Sequence, residues 1–76
     1  MPTLLRQQGF SVSIRTNDHN PAHVHVSRAG KAVKIDLEPL SVSRVEGMPL
    51  SDVVAAVGIV EDNLELLLAA WRRIHG

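Results

Sequence analysis

The stretch NDHNPAHVHV, residues 17–26, contains three of the four histidines in a chain of 76 residues. Histidine changes its charge between pH 5 and 8, and its neutral ring is the commonest metal ligand in proteins. His23 and His25 are separated by one residue, so on a β-strand both imidazoles would lie on one face, about 7 Å apart at Cα. This spacing predicts either metal binding or proton transfer.

Metal binding is the first hypothesis for the stretch. Zinc binds imidazole nitrogens and carboxylate oxygens, usually with four ligands in structural sites. His23 and His25 on the strand could both bind one ion, and His19 or Asp18 could supply a third ligand from the loop. The strand pairing described below places Lys34 beside these histidines, where its ammonium group would repel a divalent cation.

General acid–base catalysis is the second hypothesis. The same pairing places Asp36 opposite His23, and a neighbouring carboxylate orients an imidazole and favours its protonated form. His25 lies beside Lys34. Two histidines and a lysine can serve as base, acid and phosphate-binding cation in metal-independent RNA cleavage by the 2′-hydroxyl. The candidate catalytic residues are therefore His23, His25, Asp36 and Lys34.

A structural role is the third hypothesis. Asp18 would cap the loop through backbone N–H groups and Pro21 would shape it, while His23 and His25 would be half-exposed partners of residues on the next strand. The polar sheet face would still be available for recognition. A modest basic patch would lie beside it, formed by Arg15, Arg28, Lys31 and Lys34.

The elements that position these residues are strands, because apolar residues alternate with polar ones from Thr3 to about Glu38. Gln8-Gly9 and Ala29-Gly30 are the predicted hairpin turns. A two-residue turn at Ala29-Gly30 fixes four pairs: Arg28 with Lys31, Val26 with Val33, His25 with Lys34, and His23 with Asp36. LSVSRVEG, residues 40–47, is either a fifth strand or a loop.

This register sorts the side chains onto two faces of the sheet. The apolar face contains Phe10, Val12, Ile14, Val24, Val26, Val33, Ile35 and Leu37. The polar face contains Ser11, Ser13, Arg15, His23, His25, Ser27, Lys34, Asp36 and Glu38.

A helical period follows Pro49, with apolar residues in steps of three and four from Leu50 to Ile74. We expect one long helix over residues 51–75, capped by Ser51 and weakened at Gly58. A helix of roughly 24 residues is about 36 Å long and would extend past strands of about 20 to 23 Å. The overhang would expose Leu67, Leu68 and Trp71, or Leu50 and Val53. We therefore expect a homodimer or a small partner protein bound through this helix.

Composition excludes several classes of protein. The chain has no cysteine, so it has neither disulfides nor thiolate zinc sites, and a cytoplasmic location is expected. No apolar run is long enough to span a membrane. Eight basic and eight acidic residues give a net charge of zero, so any contact with nucleic acid must be local.

Several segments together resemble one family of small bacterial proteins, domain-of-unknown-function family 4160. These are MPTLLR, the pair Gly9-Phe10, the motif from Asp18 to Val26, GKAVKIDL, and a single Trp71 near the end of the helix. The resemblance implies a genomic neighbour from domain-of-unknown-function family 2442, in an arrangement similar to toxin-antitoxin pairs. It therefore implies a protein partner.

The sequence thus predicts a single α+β domain over residues 1–76, with a β-meander at 1–38, a connection at 39–50 and the helix at 51–75. The sheet is antiparallel with four to five strands. We expect a small bacterial interaction protein of a toxin-antitoxin-like pair, which binds a partner protein. Its histidine-bearing face is a candidate surface for nucleic acid. The alternative is a small ribonuclease-like hydrolase or a metal-binding protein.

Overall fold

The computed structural model describes residues 3–15, 17 and 19–75. Within these residues five strands form one antiparallel sheet in the order β1-β2-β3-β4-β5. The strands are β1 Thr3–Gln7, β2 Phe10–Ser13, β3 His23–Arg28, β4 Lys31–Leu37 and β5 Leu40–Glu46. Two helices follow, α1 Leu50–Asp62 and α2 Leu64–His75. The α+β class and the antiparallel meander are confirmed, and LSVSRVE is a fifth strand.

Two tight hairpin turns set the register of the sheet. Gln8 and Gly9 have φ of 55° and 82°, and Ala29 and Gly30 have φ of 52° and 77°. Positive φ at both central residues is the type I′ geometry, whose twist matches that of paired strands. All four pairs predicted between β3 and β4 are observed, including His23 with Asp36 and His25 with Lys34.

The hydrophobic core lies between one sheet face and the two helices. The eight residues of the predicted apolar face are each at most 1% exposed. Full burial of an aliphatic side chain contributes roughly 1.5–3 kcal/mol, so this face is the main source of stability. The helices cover it with Val53, Ala56, Ile59, Val60, Leu67, Ala70 and Trp71.

The prediction of one long helix is wrong, because the helical segment divides at Asn63 and not at Gly58. Asn63 has φ −116° and ψ 20°, outside the helical region. Its side-chain Nδ2 donates a hydrogen bond to the carbonyl of Ile59 at 2.8 Å and another to Oε1 of Gln7 at 3.4 Å. Asparagine competes with the helical backbone for hydrogen bonds in this way, and here it also ties the break to β1.

The predicted cap at Ser51 is also wrong. The helix begins at Leu50 after Pro49, which has φ −66° and ψ 155° and makes no side-chain cap. Its carbonyl accepts hydrogen bonds from the N–H groups of Asp52 and Val53, both at 3.0 Å. Proline is suited to this position because its fixed φ needs little ordering on folding.

The break changes which apolar side chains remain exposed. Leu67 and Trp71 are 0% and 6% exposed and Val53 is 8% exposed, so the expected overhang of these residues is not observed. Two short helices can follow the sheet where one straight helix could not. Leu50 and Val54 are the large apolar residues of α1 that stay mostly exposed, at 76% and 63%. None of the helices in the described part of the chain has the length and hydropathy that a membrane crossing requires.

Candidate functional site

A cleft of about 400 Å³ opens on the polar face of the sheet. Its strand residues come from β3, β4 and β5, and its other wall contains described residues that lie between β2 and β3. The residues that line it are Arg15, Asn17, His19, Asn20, Pro21, His23, His25, Lys34, Arg44 and Glu46. Of the predicted site residues, the cleft therefore brings together His19, His23, His25 and Lys34.

Three basic side chains stand side by side across the floor of the cleft. His25 on β3 pairs directly with Lys34 on β4, and Lys34 pairs directly with Arg44 on β5. We call these three residues the basic row. Since neighbouring strands are about 4.8 Å apart, the row is about 10 Å long between its outer Cα atoms. Like charges placed directly opposite on a sheet destabilise it, so a bound anion would relieve the repulsion within the row.

A β-bulge directs Arg44 into the row. Ile35 pairs with Val42, whereas Lys34 pairs with Arg44, so β5 contains one extra residue at this point. Without the extra residue, Ser43 would face Lys34 and Arg44 would lie on the opposite face. Bulges frequently redirect a side chain beside a functional site. Arg44 also approaches Glu46 at 3.6 Å, but both are exposed, and such a pair contributes at most about 1 kcal/mol.

His23 is buried, although we expected it to be half-exposed. It is 4% exposed, and its ring lies 5.1 Å from the ring of His25 and 5.2 Å from that of Trp71. Its Nδ1 donates a hydrogen bond to the carbonyl of Pro21 at 2.8 Å. The last turns of α2 bring Trp71 against this end of β3, so the separation of the two faces is incomplete here.

Asp36 faces His23 in the pairing, but the backbone of Pro21 and not this carboxylate orients the ring. The Oδ1 atom of Asp36 is buried and has no hydrogen-bond partner within the described residues. The carbonyl of Pro21 fixes the protonated nitrogen of His23 in its place. Among the residues described, Asp36 also lies outside the lining of the cleft. Of the four predicted catalytic residues, His23, His25 and Lys34 meet in the cleft and Asp36 lies behind them.

The predicted metal ligands are not gathered around one point. In residues 3–15, 17 and 19–75, no three His, Asp or Glu side chains are close enough together to bind a metal ion. His19 is exposed on the loop, while His23 is buried. The described residues therefore do not bring His19, His23 and His25 together as ligands of one ion. The other proposed loop ligand, Asp18, lies outside the described residues, so the metal hypothesis stays a prediction.

The predicted basic patch divides into two parts. Arg15 and Lys34 line the cleft. Arg28 instead lies over the ring of Phe10, 4.9 Å from its centroid, and approaches Asp52 of α1 at 3.6 Å. The sequence prediction missed Arg44 and Glu46, and only a recognised bulge in β5 would have indicated them.

A comparison with family models shows to which protein family the chain belongs. The family described as "Domain of unknown function (DUF4160)" matches residues 9–72. The chain belongs to this family. The match to domain-of-unknown-function family 4160 runs from the first hairpin turn into α2, so the matched range spans the positions of the basic row and of the helix break. No curated protein and no solved structure matches the chain.

The balance of charges in the cleft of this family member differs from that of the whole chain. The described lining residues include three permanent cations, Arg15, Lys34 and Arg44, and one carboxylate, Glu46. The complete chain has eight basic and eight acidic residues, so its net charge is zero. Among the described lining residues, cationic side chains therefore outnumber carboxylates.

Proposed function

We propose that the protein binds the phosphodiester backbone of a nucleic acid in this cleft, as an interaction protein of a toxin-antitoxin-like pair. The observation that supports this most is the direct pairing of Lys34 with Arg44, next to His25. Phosphate oxygens placed over the row would neutralise the repulsion and accept charge-assisted hydrogen bonds from all three side chains.

The shape of the cleft favours a chain of phosphates over a small metabolite. Small-molecule pockets are mostly apolar and enclose their ligand, whereas this cleft is open and lined by charged and amide groups. A row about 10 Å long also exceeds a single phosphate group. Aromatic residues are only 3% of the chain, so binding would depend on phosphate contacts and not on base stacking.

Cleavage of a bound RNA is a second candidate function. The rings of His23 and His25 are 5.1 Å apart, and Lys34 is directly opposite His25. His25 would accept the proton of the 2′-hydroxyl as its oxygen attacks the phosphorus and the bond from phosphorus to the 5′-oxygen breaks. Water would protonate the leaving 5′-oxygen, and Lys34 would stabilise charge on the phosphate. His23, being buried, would position His25.

A protein partner also belongs to the proposal, either a second copy of the chain or a small partner protein. The resemblance to toxin-antitoxin pairs implies it, and the exposed Leu50 and Val54 of α1 are side chains that such a partner would bury. Light scattering combined with size-exclusion chromatography, on the protein alone and with the product of the adjacent gene, would test this part separately.

The direct test is binding of fluorescently labelled RNA and DNA oligonucleotides across a series of salt concentrations. Three phosphate contacts predict that log K falls with log salt at a slope of about −2 to −3. The double variant Lys34→Gln, Arg44→Gln should bind at least about tenfold more weakly and show a slope nearer to about −1. Wild-type binding that is absent, or that is insensitive to salt, would contradict the proposal. Electrophoresis of the same RNA samples would show whether the chain is cut, with His25→Ala as the control.

A further inference from the structure

His75, at the end of α2, connects the helix to the wall of the cleft. Its Nε2 lies 3.1 Å from the carbonyl oxygen of Arg15, whose side chain lines the cleft. Its Nδ1 lies 3.2 Å from the carbonyl oxygen of Trp71. Its ring stacks on the indole of Trp71, with centroids 3.8 Å apart and an angle of 26° between the planes.

Both neighbours of the His75 ring nitrogens are carbonyl oxygens, which only accept hydrogen bonds. A neutral imidazole has one N–H and one lone pair, so it can satisfy only one of the two carbonyls. The other contact would bring two lone pairs together. The imidazolium form has two N–H groups and satisfies both. The geometry of His75 is therefore complete only when the ring is protonated.

The His75 ring is surrounded by dipoles and charges of both signs. The C-terminal end of a helix is the negative end of its dipole, and a cation over an indole face is attracted by the ring electrons. Cations nearby act in the opposite sense, namely Arg72 and Arg73 in the same turn and Arg15 across the contact. His23 lies on β3 behind Trp71, and Glu38 shares a groove with Trp71 and Arg72.

We propose that His75 is a proton-dependent latch, which holds the segment bearing Arg15 against α2 and so positions one wall of the cleft. This inference rests on the proposed function of the cleft for its consequence, though not for its geometry. The direction of the pH dependence follows from the number of N–H groups on the His75 ring. The latch is closed when His75 is protonated, and loss of that proton removes one of its two hydrogen bonds. Affinity for a phosphate backbone should therefore decrease as the pH is raised.

Trp71 is the single tryptophan of the chain, so its fluorescence reports the latch without any ligand. We expect the wild-type emission to change between about pH 5 and pH 8, because the ring stacked on the indole changes charge. His75→Gln keeps an amide donor but cannot be protonated, so its emission should change with pH less than that of the wild type, with His23 as the other imidazole beside the indole. His19→Gln removes the exposed histidine of the cleft wall and should respond as the wild type does. A pH response in His75→Gln equal to that of the wild type would overturn the latch.

The consequence for the cleft is measured with the labelled oligonucleotide at about pH 5 and at about pH 8. The cleft histidines His25 and His19 are present in both the wild type and His75→Gln, so any pH dependence of affinity that they cause is common to the two proteins. The latch is therefore measured by the difference between the two proteins. The loss of affinity on raising the pH should be about fivefold greater in the wild type. Equal losses would overturn the coupling to the cleft. If neither protein bound the oligonucleotide at either pH, the proposed function would fail, while the fluorescence result would still decide the latch.

Discussion

Replacement of Lys34 by glutamate is expected to weaken nucleic-acid binding by about 100-fold at about 0.1 M salt, because a cation at the centre of the basic row becomes an anion facing the phosphates. The same change should not destabilise the fold. The introduced carboxylate would stand between His25 and Arg44, and an opposite-charge pair across two strands contributes roughly 0.2–1 kcal/mol where a like-charge pair costs stability. Fluorescence anisotropy with an oligonucleotide and urea denaturation would measure the two effects.

The matched control is Lys31→Glu. Lys31 is exposed, belongs to the same strand and lies outside the cleft, and its replacement changes the net charge by the same amount. We expect its effect on binding at the same salt concentration to be less than about threefold, since Lys31 lies about 10 Å along the strand from Lys34 and alternation directs it to the other face. At about 0.1 M salt the Debye length is about 10 Å, so its interaction with phosphates in the cleft is largely screened. Equal losses in both variants would show that binding depends on net charge and not on the basic row.

Truncation of Leu67 should have the largest effect on stability. Leu67 lies on the buried face of α2, and its side chain is 0% exposed. A Leu→Ala change at such a position lowers the free energy of unfolding by about 3 kcal/mol, because transfer free energy is lost and a cavity remains. A domain of 76 residues has a total unfolding free energy of only about 4 to 11 kcal/mol. Urea denaturation followed by Trp71 emission should therefore show a large decrease in the midpoint for Leu67→Ala.

Leu66 provides the control at the neighbouring position. It is 54% exposed, so Leu66→Ala removes the same atoms from the same helix while creating no cavity. Its free energy of unfolding should differ from that of the wild type by no more than about 0.5 kcal/mol. If Leu66→Ala were as destabilising as Leu67→Ala, α2 would be oriented differently from the structure described above.

The sheet could be predicted because one strong constraint fixes it. A shift of one residue between β3 and β4 would have placed His23 and His25 opposite valine and isoleucine, so the pattern admitted only one register. That register places Lys34 beside His25, as the structure does. The two-residue turn at Ala29-Gly30 agrees with it, even though alanine at φ 52° is an uncommon turn residue.

The helix break and the complete cleft could not be predicted, because each depends on a tertiary contact. Asn63 interrupts the helix with a side chain that also reaches Gln7 of β1, a residue 56 positions away. Gly58 is the weaker point when only propensity is considered. Arg44 enters the basic row only through the bulge in β5, and strict alternation would have placed it on the apolar face.

His23 shows where sorting by alternation fails. Its position on the strand directs it to the polar face, as predicted. Its burial also depends on which residues of the helices and loops pack against that part of the face. Trp71 of α2 lies against its ring, and the carbonyl of Pro21 accepts its N–H group. A strand pattern contains no information about where a distant helix ends, so only the structure shows that His25 and not His23 is the more exposed imidazole of the pair.

Nuclear magnetic resonance of the labelled protein, titrated with a short oligonucleotide, would test the central claim most directly. We predict that the largest shifts belong to the imidazole of His25, the ammonium-bearing side chain of Lys34 and the guanidinium of Arg44, and that they saturate together. Shifts confined to the exposed face of α1 around Leu50 and Val54, or spread evenly over the surface, would contradict it.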